Sequence, residues 1–146
     1  MSRLGRLRDR AMAADSGQIT AFVVVMATAL VLLAGLVLDG GLTLAARERA
    51  LGLAQEAARA GAQGVNLDIY RQSEDLVLSP ALATADARQY LASTGSQGTV
   101  QVTGNTVTVT VTITQPMQIL DAAGLSAITV HASASATPDR SIFGAG

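Results

Sequence analysis

Residues 19–38 read ITAFVVVMATALVLLAGLVL, twenty consecutive residues without a charged side chain. The run begins at Ile19 and ends at Leu38, and we call it the apolar segment. As an α-helix it is about 30 Å long, which is the thickness of the hydrocarbon core of a bilayer. A surface helix of a soluble protein needs only one apolar face, whereas this segment is apolar on all sides. The pattern therefore predicts a single membrane-spanning helix.

Charges on the two sides of the apolar segment indicate its orientation. Four arginines precede it within residues 1–17, whereas Asp39 follows it directly and the next arginines are Arg47 and Arg49. Basic residues are retained on the cytoplasmic side of a membrane helix. We therefore expect residues 1–17 to be a basic cytoplasmic leader and the C-terminal part to be extracytoplasmic.

A cleaved secretory signal is the competing interpretation of the same residues. Its apolar region is ordinarily 7–15 residues long, shorter than the run seen here. The sequence Leu44-Ala45-Ala46 is also a poor cleavage site. An uncleaved membrane anchor is favoured, and a secreted product remains the alternative.

Residues 39–64 predict a continuation of the helix beyond the membrane. Asp39, Gly40 and Gly41 form a span-exit motif and a weak point, because glycine costs about 1 kcal/mol inside a helix. Strong helix formers follow, so without a break residues 18–64 form one helix of about 70 Å. A stripe of mainly small side chains then recurs at spacings of three and four: Ala46, Ala50, Leu53, Ala57, Ala60 and Gly64. This candidate packing face suits either another membrane protein's helix or the chain's own sheet.

Residues 65–146 predict a small α+β domain. Residues 65–79 look irregular, residues 81–92 helical, and residues 138–146 a loose tail. Between them, strict alternation of aliphatic with threonine, serine or other polar residues predicts three strands, the first two joined by a hairpin at Gly104-Asn105. The direction of the third strand stays open. The expected fold is a long transmembrane helix that continues into an amphipathic helix, packed on a three-stranded sheet with a short second helix.

Composition gives no sign of catalytic or cofactor chemistry. The net charge is -1, cysteine is absent, and His131 is the single histidine, on the polar side of the third strand. No nucleophile or phosphate-binding motif occurs, so we expect neither an enzyme nor a cofactor, metal or nucleic-acid site. The Glu74-Asp75 pair reads as a solvated loop. Asp39 is either a residue at headgroup level or a contact to a cation of a neighbouring subunit.

Residues 17–64 resemble the N-terminal region of TadE/TadG-like proteins, the minor pilin-like components of Flp (tight adherence) pilus assembly. The shared features are Gly17 before the apolar run, Asp-Gly-Gly after it, and an alanine-rich helix ending in Ala-Arg-Ala-Gly-Ala. The resemblance implies a bitopic membrane protein with a small extracytoplasmic domain, active in pilus biogenesis or secretion. It also makes Gly17 a possible processing site. Prepilins of the TadE kind carry a glutamate five residues after that glycine; Phe22 stands there, which is closer to the TadG-like branch.

These observations lead to two functional hypotheses. The first is a pilin-like subunit or accessory protein of a Flp/Tad-type system that acts by helix packing. Its partners would be the lipid bilayer and other pilin-like or pilus-assembly membrane proteins, including further copies of itself. The alternative is a membrane-anchored extracytoplasmic binding module that recognises its ligand with the threonine-rich face of the sheet.

Overall fold

The computed structural model describes the backbone of residues 3–73 and 76–138, and the side chains of residues 18–72 and 76–138. The helices are α1 (Arg3–Ala62), α2 (Leu67–Ser73) and α3 (Pro80–Ser93). The strands are β1 (Gln97–Thr103), β2 (Thr106–Pro116) and β3 (Ala127–Ala136), with a 3-10 helix (Leu120–Ala123) between the last two. The predicted α+β fold, one long apolar helix with a short further helix and a three-stranded sheet, is confirmed.

Helix α1 is continuous through the Asp-Gly-Gly motif. It runs for 60 residues, and neither Gly40 nor Gly41 interrupts it. The Thr43 hydroxyl donates a hydrogen bond to the carbonyl of Asp39 across this point. The cost of two helical glycines is about 2 kcal/mol, which is small beside what packing contributes along a helix of this length.

The sheet is antiparallel throughout, in the order β1-β2-β3. β1 and β2 form the predicted hairpin, in which Thr103 pairs with Thr106 across the turn and Gly104 has a φ of 57°. β3 pairs with β2 from Val107↔Ala136 to Pro116↔Ala127, which settles the direction that the sequence left open.

The core lies between one face of the sheet and the helices. Val107, Val109 and Val111 of β2 are fully buried. They pack in one cluster with alanines of α1 and with Ala83, Ala87 and Leu91 of α3. Alanine on the helices lets their backbones come close to the sheet. The aliphatic side of the V-T alternation therefore forms the sheet's half of the core, and the threonines lie on the opposite side.

The segment before α3 differs from the sequence-based expectation. Residues 65–79, predicted to be irregular, contain α2, whose first turn is capped by Asn66: its Oδ1 accepts from the N–H groups of Asp68 and Ile69. Seven residues are too few for a clear helical periodicity, which is why the pattern missed this helix. The Glu74-Asp75 pair and residues 139–146 of the predicted tail lie outside the described residues.

A side chain from the hairpin turn holds the segment ahead of α3. Oδ1 of Asn105 accepts from the Leu78 N–H at 2.8 Å, and its Nδ2 donates to the Leu76 carbonyl at 2.9 Å. The hairpin turn therefore lies at the end of the domain that carries the C-terminal end of α1.

Candidate interaction site on the long helix

The apolar segment has almost no cover within the chain. Its ends, Ile19 and Leu38, are exposed, as are all the large side chains between them. The most apolar 18-residue window has a mean hydropathy of 2.8, and 6% of it is buried. By length and composition, α1 is thus a candidate membrane span.

The predicted stripe lies against the chain's own sheet and α3. Ala46, Ala50 and Ala57 are completely buried and Gly64 is buried, whereas Leu53 and Ala60 are partly covered. Contact is close at the C-terminal end, where a Cβ added to Gly64 would lie 2.6 Å from the Ala83 nitrogen. Of the two surfaces that suited this stripe, the structure shows the sheet and α3 in contact with it.

Asp39 is a buried acid on the same side of α1. Only 1% of it is exposed. Its Oδ1 accepts a hydrogen bond from the Gln118 N–H at 2.9 Å, and its Oδ2 accepts from the N–H groups of Ile119 and Leu120 at 3.1 and 2.8 Å. The carboxylate therefore binds three successive backbone amides and holds the loop before the 3-10 helix against α1.

The same hydrogen bonds set the protonation of Asp39. The Leu120 N–H contributes most to lowering the pKa of this carboxyl below its ordinary value. Burial acts in the opposite direction, and the Gln118 and Ile119 amides lower the pKa further. Asp39 is therefore a carboxylate at neutral pH, the form that can accept from three donors.

Gly35 lies one turn before Asp39 and receives Ile119. A Cβ built on Gly35 would come within 2.6 Å of Cγ2 of Ile119, so the absence of a side chain makes room for the isoleucine. Gly35 and Asp39 are both buried and extend the covered stripe by about three turns from Ala46 into the end of the apolar segment. We call residues 117–125 the docked loop and its contact with these two residues the docking site.

Sequence reasoning missed this docking site, although a signal was present. Asp39 lies seven residues before Ala46, and Gly35 lies four before Asp39, which is the spacing of one helix face. The sequence instead predicts that Asp39 lies at headgroup level or contacts a cation of a neighbouring subunit. Its amide partners are 79 to 81 residues away in the sequence, so no local pattern indicates them.

The other two residues of the span-exit motif point away from the domain. A Cβ added to Gly40 or Gly41 would have nothing within 4 Å. These glycines therefore leave an open surface on α1 beside the docking site. The possible processing site, Gly17, lies in the helical backbone, but its surroundings fall outside the residues whose side chains are described.

The threonine-rich face of the sheet carries a ladder of paired polar side chains. Thr108 bonds to Ser135, Thr110 to Ser133, and the Thr112 hydroxyl to Nδ1 of His131, at 2.7 to 2.9 Å. Cross-strand pairs of this kind stabilise a sheet. Within residues 18–72 and 76–138, no three His, Asp or Glu side chains come together as a metal site requires.

Comparison with known families bears on α1. Residues 17–64 match the family model described as putative Flp pilus-assembly TadE/G-like. The match covers about a third of the chain, includes Gly35 and Asp39 but not the docked loop, and confirms the resemblance drawn from the same residues. No curated protein and no solved structure matches the chain.

Proposed function

We propose that this chain, whose residues 17–64 form a TadE/G-like segment, is a membrane-anchored, pilin-like subunit or accessory protein of a Flp/Tad-type pilus assembly or secretion system. The observation that carries the proposal is the division of α1. One face of its second half is covered by the chain's own domain, whereas the apolar segment is exposed on nearly all sides. An uncovered apolar helix needs lipid or other apolar helices around it.

The arrangement in the membrane follows from the charges. The arginines of residues 1–17 favour a cytoplasmic N-terminus, and we therefore assign the sheet and α3 to the extracytoplasmic side of a single-pass protein. The leader, the apolar helix with its extension, and the small α+β domain then correspond to residues 1–17, 18–64 and 65–146.

The proposed action is helix packing and not catalysis. The apolar segment can exchange lipid contacts for contacts with the helices of other pilin-like proteins or of further copies of itself. Because the stripe from Ala46 to Gly64 already lies on the sheet and α3, we assign partner contacts to the apolar segment and to the open side of α1 at Gly40 and Gly41.

Single-cysteine crosslinking tests the proposal, since the chain contains no cysteine of its own. We choose Val25→Cys in the apolar segment, where the side chain is 69% exposed. In membranes of cells that make this protein together with its pilus-assembly components, we expect crosslinks from position 25 to those components or to a second copy. The absence of both would overturn the proposal.

A cysteine on the sheet separates the two functional hypotheses. Gln101 is exposed and pairs with Thr108, so it lies on the threonine-rich face. Crosslinks from Gln101→Cys with none from Val25→Cys would favour the binding-module alternative. The hydroxyls of that face bond to each other in pairs, which uses part of their capacity for a ligand and is why we rank this alternative second.

Two further measurements test the anchor and its orientation. A membrane-impermeant maleimide should label Gln101→Cys on intact cells. Labelling in lysed cells only would show that the orientation is the reverse of the one proposed.

Mass spectrometry of the mature N-terminus distinguishes an intact chain from one that starts at Gln18. A mature chain that starts beyond Leu38 would exclude the anchor and identify a secreted product.

A further inference from the structure

We propose that the docked loop enters the headgroup region of the bilayer, so that the lipid surface is a binding partner of the folded domain as well as of the apolar segment. This inference rests on the membrane anchoring proposed above. It concerns the exposed apolar side chains around the 3-10 helix, above all Leu125 and Ile128, which are 58% and 45% exposed.

The length of the uncovered helix places this loop at the membrane. Residues 19–34, the part of the apolar segment before the docking site, form a helix of about 24 Å, some 6 Å less than the hydrocarbon thickness of about 30 Å. The remaining distance is supplied by residues 35–38, in which Leu36, Val37 and Leu38 are exposed. Ile119 packs on Gly35 at the start of that last turn. A bilayer that covers the whole apolar segment therefore reaches the level of the docked loop.

The backbone of the loop is suited to a medium with little water. An amide N–H without an acceptor is costly near hydrocarbon, and irregular segments are the usual source of such groups. In the docked loop, Asp39 accepts from three successive N–H groups, and carbonyls within or next to the loop accept from four more. The seven donors are Met117, Gln118, Ile119, Leu120, Ala122, Gly124 and Leu125.

The exposed side chains of this region continue the surface of the apolar segment. Ile128 lies on the side of the sheet that faces α1, since its register partner Gln115 is on the same side as Ile113 and Val111. Leu125 follows the 3-10 helix after Gly124. Asp121 is exposed in that helix and needs water or headgroups around its carboxylate, which limits the loop to the interface and keeps it out of the bilayer centre.

Fluorescence quenching by labelled lipids tests the inference on the full chain in phosphatidylcholine vesicles. A bimane probe on Leu125→Cys reports on the loop. The matched control is Leu82→Cys, because Leu82 is also an exposed leucine (52%) but lies beside Gly64 at the far end of the domain. Val25→Cys reports on anchoring. We expect lipids with a shallow nitroxide label to quench the probe at 125 more than lipids with a deep label do. The probe at 25 should be quenched more by the deep label, and the probe at 82 should be quenched by neither.

Each other outcome has a definite meaning. Quenching at 25 with none at 125 overturns the inference but leaves the proposed membrane anchor in place. Absence of quenching at 25 contradicts the membrane anchor itself, on which the proposed function and the inference both depend. A probe at 125 that is blue-shifted but insensitive to nitroxide lipids overturns the inference in favour of a protein contact. All three cysteines replace exposed side chains, and far-UV circular dichroism of each labelled protein verifies the fold.

Discussion

Ile119 lies directly on Gly35, so close that a methyl group on the glycine would come within 2.6 Å of Cγ2 of the isoleucine. The contact joins the loop between β2 and β3 to the apolar segment of α1. One turn further along the helix, Asp39 secures the same loop through three amide hydrogen bonds. The folded domain thus packs on α1 from Gly35 to its end at Ala62.

Replacing Gly35 by leucine should release the docked loop. The larger side chain would occupy the position of Ile119, and overpacking of this kind costs about 1–3 kcal/mol. Hydrogen exchange of residues 117–125, measured by mass spectrometry in detergent micelles, should accelerate by roughly five- to a hundredfold. Gly40→Leu is the matched control, since Gly40 faces open space. Equal exchange in the two variants would contradict the close contact.

Replacing Asp39 by asparagine should loosen the amides of the loop without a change in size. The asparagine side chain offers one oxygen acceptor in place of two, and its NH₂ group would face a backbone N–H. Exchange at Gln118, Ile119 and Leu120 should accelerate roughly tenfold or more. Asp121→Asn removes the same charge from an exposed position in the loop and should leave these amides unchanged. Unaltered exchange in Asp39→Asn would show that the carboxylate does not hold the loop.

Docking of the loop should weaken only at strongly acidic pH. The amide hydrogen bonds hold the pKa of Asp39 below its ordinary value, which is about 3.9 in an unfolded chain. The contribution of the carboxylate is therefore fully present above that value and is lost as the pH falls through the lower folded-state pKa. NMR shifts of the Gln118 to Leu120 amide protons in micelles should stay constant from pH 7 to about 4.5 and change below about 3.9. A transition well above that range, or one that persists in Asp39→Asn, would rule out this assignment.

Two glycines of α1 should respond in opposite ways to alanine. In Gly61→Ala the new Cβ would lie 2.8 Å from the Ala83 carbonyl oxygen and 3.0 Å from Val107, which should lower the free energy of unfolding by about 1–3 kcal/mol. In Gly52→Ala the new Cβ has nothing within 4 Å, so the gain in helix propensity should raise the free energy of unfolding by about 0.5–1 kcal/mol. Thermal unfolding in micelles, followed by circular dichroism, measures both, and similar midpoints would contradict the packing at Gly61.

Much of the fold was predictable because its signals are local. The apolar segment and the alternation from Val107 to Ile113 are continuous patterns, and the structure contains a long helix and a strand where each predicts it. The short helix α2 was missed because it depends on a cap from Asn66 more than on periodicity. The spacing of Ala46, Ala50 and Ala57 identifies one side of α1, but spacing alone does not say which surface lies on it.

The docking site depends on contacts that the sequence does not display. Gly35 is one small residue within an apolar run, and a glycine there is compatible with lipid, with another helix or with a loop of the same chain. The sequence places a charge at the end of the apolar segment, at Asp39, but it does not reveal which amides this charge binds. Every loop offers backbone N–H groups, so the sequence does not single out those of Gln118 to Leu120. The fold of residues 117–125 had to be known before these residues could be paired.

The continuity of α1 has a mechanical consequence. From residue 38 to Ala62 the helix extends about 36 Å without a break, and the folded domain packs along it from the docked loop at Gly35 onward. Transmembrane helices tilt by about 20° on average, and a tilt of that size would displace the end of α1 at Ala62 sideways by about 12 Å. If α1 spans the bilayer as proposed, a small change in its tilt would therefore move the whole domain with it as one body, and the hairpin at Gly104 would move furthest.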